Sequence, residues 1–97
     1  MILVRNLFVA KAGQAGRLAA QLKDIAGAGE LRNVRVLTDL VGDFNHVVME
    51  HEVDTMAEFE AVLQRYATDP IVREKAKGYT DLWLTGKREL FRLTEEP

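Results

Sequence analysis

Apolar and polar positions along the chain change period several times, and each change marks an expected element. From Ile2 to Ala10 the residues are mostly β-formers, which predicts a strand. Ala12-Gly13-Gln14-Ala15-Gly16 is a turn into a helix. Ala15, Leu18, Ala19, Leu22, Ile25 and Ala26 then recur at the spacing of one helix face. Gly27-Ala28-Gly29 is expected to end that helix, because glycine accepts the left-handed conformation of a helix stop. Two β-rich runs, Asn33 to Val41 and His46 to Val53, flank Gly42-Asp43-Phe44-Asn45 and predict a hairpin. Asp54-Thr55-Met56-Ala57-Glu58 opens a second helix, with Thr55 and Glu58 spaced as a capping box. Met56, Phe59, Val62, Leu63 and Tyr66 form its expected buried stripe. Asp69-Pro70 starts a short helix that Gly78 ends. Tyr79 to Gly86 reads as a loop or an extended arm, Lys87 to Leu93 as the last strand, and Thr94 to Pro97 as a loose tail.

The order β-α-β-β-α-β, with no interior linker, fits an α+β ferredoxin-like sandwich in one domain spanning residues 1–97. Its antiparallel four-stranded sheet carries both helices on one face. Side chains alternate across a strand, so each strand presents two sets. Ile2, Val4, Asn6 and Phe8 oppose Leu3, Arg5, Leu7 and Val9, and both sets are largely apolar. The hairpin behaves alike. The Val34, Val36 and Met49 set is the more apolar and is assigned to the helices. A monomeric sheet covered on one side alternates cleanly instead. Leaving Leu3, Leu7, Val9, Leu37, Val41 and Val48 in water costs about 1.5–3 kcal/mol for each large side chain that burial would otherwise hide. The chain is therefore expected to pair sheet to sheet as a homodimeric α/β barrel, unless Tyr79–Gly86 folds back over the second face.

Composition narrows the function. Apolar residues are 47% and charged residues 29%, as in an ordinary globular protein. Net charge is −2 with no basic block, and the strands lack the aromatic platform of RNA-recognition modules, so no nucleic-acid partner is expected. There is no Cys and no Ser, which excludes disulfides, thiolate chemistry and a serine nucleophile. The N-terminus does not read as a signal peptide and no apolar run reaches a membrane span, so a cytoplasmic protein without membrane attachment is expected.

Charged groups inside apolar strands are the candidates for chemistry. Arg5, Arg35, Asp39, His46 and Glu50 belong to the mixed face, with Glu89, or Arg88 and Arg92, joining from the last strand. They either form an ion-pair network or orient a small, partly apolar ligand inside the barrel, with His46 or Asp39 as proton acceptor. Asn6 is an amide among β-formers that either bonds to a loop or orients a ligand. Trp83, with Tyr79 and Leu82, lines a pocket mouth or grips the second subunit. Tyr66 belongs to the helix stripe. His46 and His51 point to opposite faces of one strand, and His46 stands about 13 Å from Glu50 at a ~3.3 Å rise per residue, so no metal site is expected. Gly13-Gln14-Ala15-Gly16 lacks the rest of a phosphate-binding loop and reads as a turn.

The two-faced sheet, the strand Arg35-Val36-Leu37-Thr38-Asp39-Leu40-Val41-Gly42 and the ending Gly86-Lys87-Arg88-Glu89-Leu90-Phe91-Arg92-Leu93 resemble the dimeric α/β-barrel superfamily. They are similar above all to small NIPSNAP-like and antibiotic-biosynthesis-monooxygenase-like members. The resemblance implies the fold and a homodimer more than a chemistry. Heme-degrading members carry an Asn on the first strand and a His in the second helical region. Asn6 matches the former, but Val72-Arg73-Glu74-Lys75-Ala76-Lys77 holds no His, so heme degradation and any other cofactor are not expected. Three further readings stand beside a ligand-binding barrel of open activity. They are a cofactor-independent monooxygenase-like enzyme using Asn6, His46 or Tyr66, an amino-acid-binding regulatory module, and a purely structural dimer.

Overall fold

A computed structural model describes residues 1–94 of the chain; the end of the expected tail, residues 95–97, lies outside the described residues. The elements run β1 (Ile2–Ala10), α1 (Ala15–Ala28), β2 (Arg32–Thr38), β3 (His46–Val53), α2 (Met56–Thr68), α3 (Pro70–Ala76), a 3-10 turn (Tyr79–Leu82) and β4 (Trp83–Arg92). The strands form an antiparallel sheet in the order β2-β3-β1-β4, the ferredoxin-like arrangement. α1 supplies Leu18, Leu22 and Ile25 to a core with Val47 and Met49, and Val34 and Val36 pack against it. Phe59 of α2 forms a second cluster with Val4 and Val53. The helices thus cover the even-numbered side of β1 and the Val34, Val36 and Met49 side of the hairpin, as the pattern predicts.

Local chemistry explains most element ends. Thr55 Oγ1 accepts from the Glu58 amide at 3.1 Å, and Glu58 Oε1 accepts from the Asp54 amide at 2.9 Å, so the capping box closes one residue early. Asp69 caps α3 by accepting from the Ile71 and Val72 amides, with Pro70 in the first turn. The left-handed residue after α1 is Glu30, at φ 56°, rather than a glycine of Gly27-Ala28-Gly29. The Leu31 amide still reaches the Ala26 carbonyl at 3.1 Å and closes the helix end.

Three expectations need correction. The first hairpin strand stops at Thr38, not Val41. The carbonyl of Asn45, itself left-handed at φ 64°, accepts from the Ala10 amide at 2.8 Å. That bond draws the chain toward β1, and Leu40, Val41 and Phe44 are left 96%, 94% and 83% exposed in the loop. The last strand begins at Trp83 rather than Lys87, because β1 pairs with it as far as Ala10. Gly86 is part of that strand. A side chain there would put its Cβ 3.3 Å from the Phe8 ring, so the glycine marks a close approach and not a break. Met56 and Tyr66, expected in the buried stripe of α2, are 50% and 37% exposed.

Candidate functional site

The strand registers divide the candidate residues between two faces. Arg35 of β2, Glu50 of β3, Arg5 of β1 and Glu89 of β4 stand side by side on the face away from the helices. Glu50, 5% exposed, receives Arg5 Nε at 2.8 Å and Arg35 Nη2 at 2.6 Å. Arg5 Nη1 reaches Glu89 Oε1 at 4.0 Å, and its guanidinium lies 5.1 Å from the Phe91 ring centroid. Basic and acidic groups therefore alternate across the whole sheet. Above and below this row lie Leu3, Leu7, Val48, Leu37 and Phe91. Glu89, not Arg88 or Arg92, is the partner that β4 sends to this face.

His46 shares that face at its end, half exposed, with Nε2 3.9 Å from Asp43. Asp39 falls one residue beyond β2 and is exposed; its amide donates to the His46 carbonyl at 3.1 Å. Neither residue reaches the Arg5–Glu50 row by any ion pair or hydrogen bond among the described residues.

Asn6 faces the helices. It is 9% exposed and lies between Met49 and Arg88 in the sheet register. Its Oδ1 accepts from Arg88 Nε at 2.9 Å. Both residues line a cavity of about 110 Å³ between the sheet and the helices. Phe8, Leu22, Met49, Phe59 and Val62 supply apolar walls, and His51, Tyr66 and Tyr79 add polar groups. Tyr66 Oη donates to Tyr79 Oη at 2.8 Å. Burial above all pushes the Tyr79 phenol above its ordinary value, so it stays neutral. His51 is 2% exposed, and its Nδ1 meets no hydrogen-bond partner among the described residues. Burial, and then repulsion from Arg88, hold its pKa below the ordinary value against the opposing pull of Glu58. A second hollow, about 290 Å³, shares His51, Leu31, Val62 and Arg65 with the first and opens toward Arg32 and Glu58.

Trp83 lies on the helix side, packed against Phe8 at 5.4 Å and Tyr79 at 6.2 Å between ring centroids. It backs the cavity wall without lining it. Thus Asn6 and Tyr66 reach the cavity, whereas His46, Asp39, Arg5 and Glu50 do not. Sequence reasoning named His51 as a strand histidine, Arg88 as one option for the mixed face and Tyr79 beside Trp83 at a pocket mouth, but did not bring the three together in one cavity. The parity of β3 placed His51 opposite His46, but only the pairing of β4 with β1 puts Arg88 beside Asn6. Among the described residues no group of three His, Asp or Glu side chains stands close enough to hold a metal ion, and no helix is long and apolar enough to cross a membrane.

The sequence matches no protein-family model and no curated protein. Solved structures do match. A protein from Agrobacterium tumefaciens superimposes with a TM-score of 0.85 at 13% identity, over 97% of this chain and 94% of that one. An uncharacterised NIPSNAP domain protein from Burkholderia xenovorans gives 0.82 at 18% identity, over 97% and 95%. A candidate antibiotic biosynthesis monooxygenase from Chloroflexus aurantiacus gives 0.77 at 16% identity, over 99% and 95%. The class is thereby defined by its fold. The chain has the ferredoxin-like α+β fold seen in NIPSNAP proteins and in monooxygenase-like relatives, as the resemblance in its sequence implies. At these identities the likeness speaks to fold and leaves chemistry to the site.

Proposed function

We propose that the chain is a single-domain homodimeric α/β-barrel protein, and that each subunit holds one small, partly apolar molecule in the cavity between its sheet and helices. The cavity carries this reading. It joins apolar walls to a few polar groups, Asn6, His51, Arg88 and the Tyr66–Tyr79 pair, which is the composition of a ligand pocket. The ligand site is thereby moved from the barrel interior to the helix side, and Asn6 is the one residue that serves in both pictures. Arg5, Arg35 and Glu50 are read as an interface row, with Leu3, Leu7 and Phe91 burying against a second copy. A cytoplasmic setting belongs to the same reading and suits a chain without cysteine.

Two measurements test it. Light scattering at micromolar concentration is expected to give twice the chain mass, and Leu7→Glu is expected to halve it. A single-chain mass for the native protein sinks the dimer. Thermal-shift screening with small aromatic and aliphatic compounds is expected to find stabilising ligands, and Phe59→Trp, which fills the cavity, is expected to abolish the shift.

A second reading, cofactor-independent oxygenation, draws on the Asn6 amide and the tyrosine pair in that cavity and on the fold shared with the Chloroflexus protein. Oxygen uptake with a panel of polyphenols is its measurement, and no turnover with any of them counts against it.

A further inference from the structure

We propose that the cavity between sheet and helices takes a small hydroxy-substituted carboxylic acid with an apolar ring. Arg88 and Asn6 hold its carboxylate, Phe8, Met49 and Phe59 surround its body, and His51 meets its hydroxyl. The proposal rests on the reading that this cavity is a ligand site and narrows the ligand to one chemical class.

The charge balance gives the carboxylate. Among the described residues no Asp or Glu lines the cavity, whereas two arginines do. Arg65 is neutralised by Glu30 and Asp69, both at 3.4 Å. Arg88 makes no ion pair among the described residues. Its Nε is spent on Asn6 Oδ1, which fixes the guanidinium plane and leaves the two terminal nitrogens free to grip both oxygens of a carboxylate. The Phe59 ring, 5.7 Å from the guanidinium, braces it from one side. Asn6 keeps its amide NH2 for the same anion.

His51 gives the hydroxyl. The ring lines the cavity and makes no hydrogen bond among the described residues; its Nδ1 is closed off inside the protein, which leaves Nε2 as the nitrogen that can meet a ligand, and polar atoms in such places are usually partnered. The charged groups that act on it, Arg88 from β4 and Glu58 from α2, oppose one another. The imidazole is neutral at physiological pH and can accept a hydrogen bond as well as donate one. The size gives the ring. A cavity of about 150 Å³ accepts benzene, and the 110 Å³ here is smaller, so the enclosed body of the ligand is at most one ring or a short branched chain.

Titration of the full chain with salicylate, benzoate, benzamide and benzylammonium, followed by backbone amide NMR shifts, tests this. Salicylate is expected to bind tightest and benzoate next. Both should bind about tenfold or more tighter than the neutral and cationic analogues. Arg88→Gln is expected to erase that preference without changing benzamide binding, Arg88→Lys to restore part of it, and His51→Asn to remove the advantage of salicylate over benzoate. Unchanged melting temperatures in these variants show that folding is not at issue. Benzamide binding as tightly as benzoate, or acids binding Arg88→Gln undiminished, overturns the carboxylate assignment and leaves the cavity a ligand site. Salicylate binding no tighter than benzoate overturns the role of His51. No shift with any of the four at millimolar concentration overturns both the assignment and the ligand site.

Discussion

Val47 and Val48 are neighbours on β3, yet they sit in different environments. Val47 is fully buried under the helices, while Val48 is only partly buried on the other face, beside the ion-pair row. The helix face is held by burial of apolar area around a small cavity whose walls are mainly apolar. The open face carries an apolar surface interrupted by the row Arg35, Glu50, Arg5 and Glu89, with Glu52 and Lys87 beside it. The first face is complete within one chain. The second is satisfied electrostatically but still shows Leu37 and Phe91 nearly half exposed. One sheet therefore carries a folding core on one side and an apolar face broken by charges on the other.

The sharpest contrast is in how stability responds to truncation. Leu18→Ala, at a fully buried position, is expected to cost about 2–5 kcal/mol in urea unfolding, by the same amount at every protein concentration. A cost below ~1 kcal/mol breaks the view that the helix side is the folding core.

On the open face, Glu50→Gln removes the acid shared by Arg5 and Arg35. Burying a charge without its partner is costly, but both arginines are partly solvated, so about 1–2 kcal/mol is expected. If the face is an interface, that cost grows with protein concentration. Equal stability in native and variant protein at all concentrations removes the row from any structural role.

A smaller effect separates the faces by pH. His51 has a folded-state pKa below its ordinary 6.5, so as pH falls the unfolded chain takes up the proton first. The stability that comes from keeping it neutral is intact above about pH 6.5 and is lost as pH falls through the folded-state value. His51→Gln is expected to flatten the fall in melting temperature between pH 7.5 and 5, whereas Leu37→Ala on the open face leaves it in place. Equal slopes in all three proteins contradict this.

The smallest effect is expected from Tyr66→Phe. It removes one partly exposed hydrogen bond to Tyr79 and costs about 0.5–1 kcal/mol by denaturant unfolding. A larger loss means that the tyrosine pair also props the cavity wall.

The order of elements, the ends of β1 and β3, the capping of α2 and the split of β1 into two apolar sets were legible because each follows from local chemistry or a fixed period. The alternation on β3 also placed His46 and His51 on opposite faces. What misled was context. Leu40 and Val41 are good β-formers, but the Asn45 carbonyl is claimed by Ala10 and the hairpin ends before them. Thr85-Gly86 resembles a break, but β1 offers an unpaired edge as far as Ala10.

The amino-acid order alone determined that this chain folds as β-α-β-β-α-β and that its sheet is apolar on both sides, since period and propensity are properties of neighbours in the chain. Only the tertiary structure decided which charges meet. Arg5, Arg35, Glu50 and Glu89 form one row, and Asn6, His51 and Arg88 share one cavity, because strand register joins residues distant in the chain, Asn6 and Arg88 being 82 positions apart. No local pattern sets that register, as it depends on how the hairpin and the last strand dock against β1.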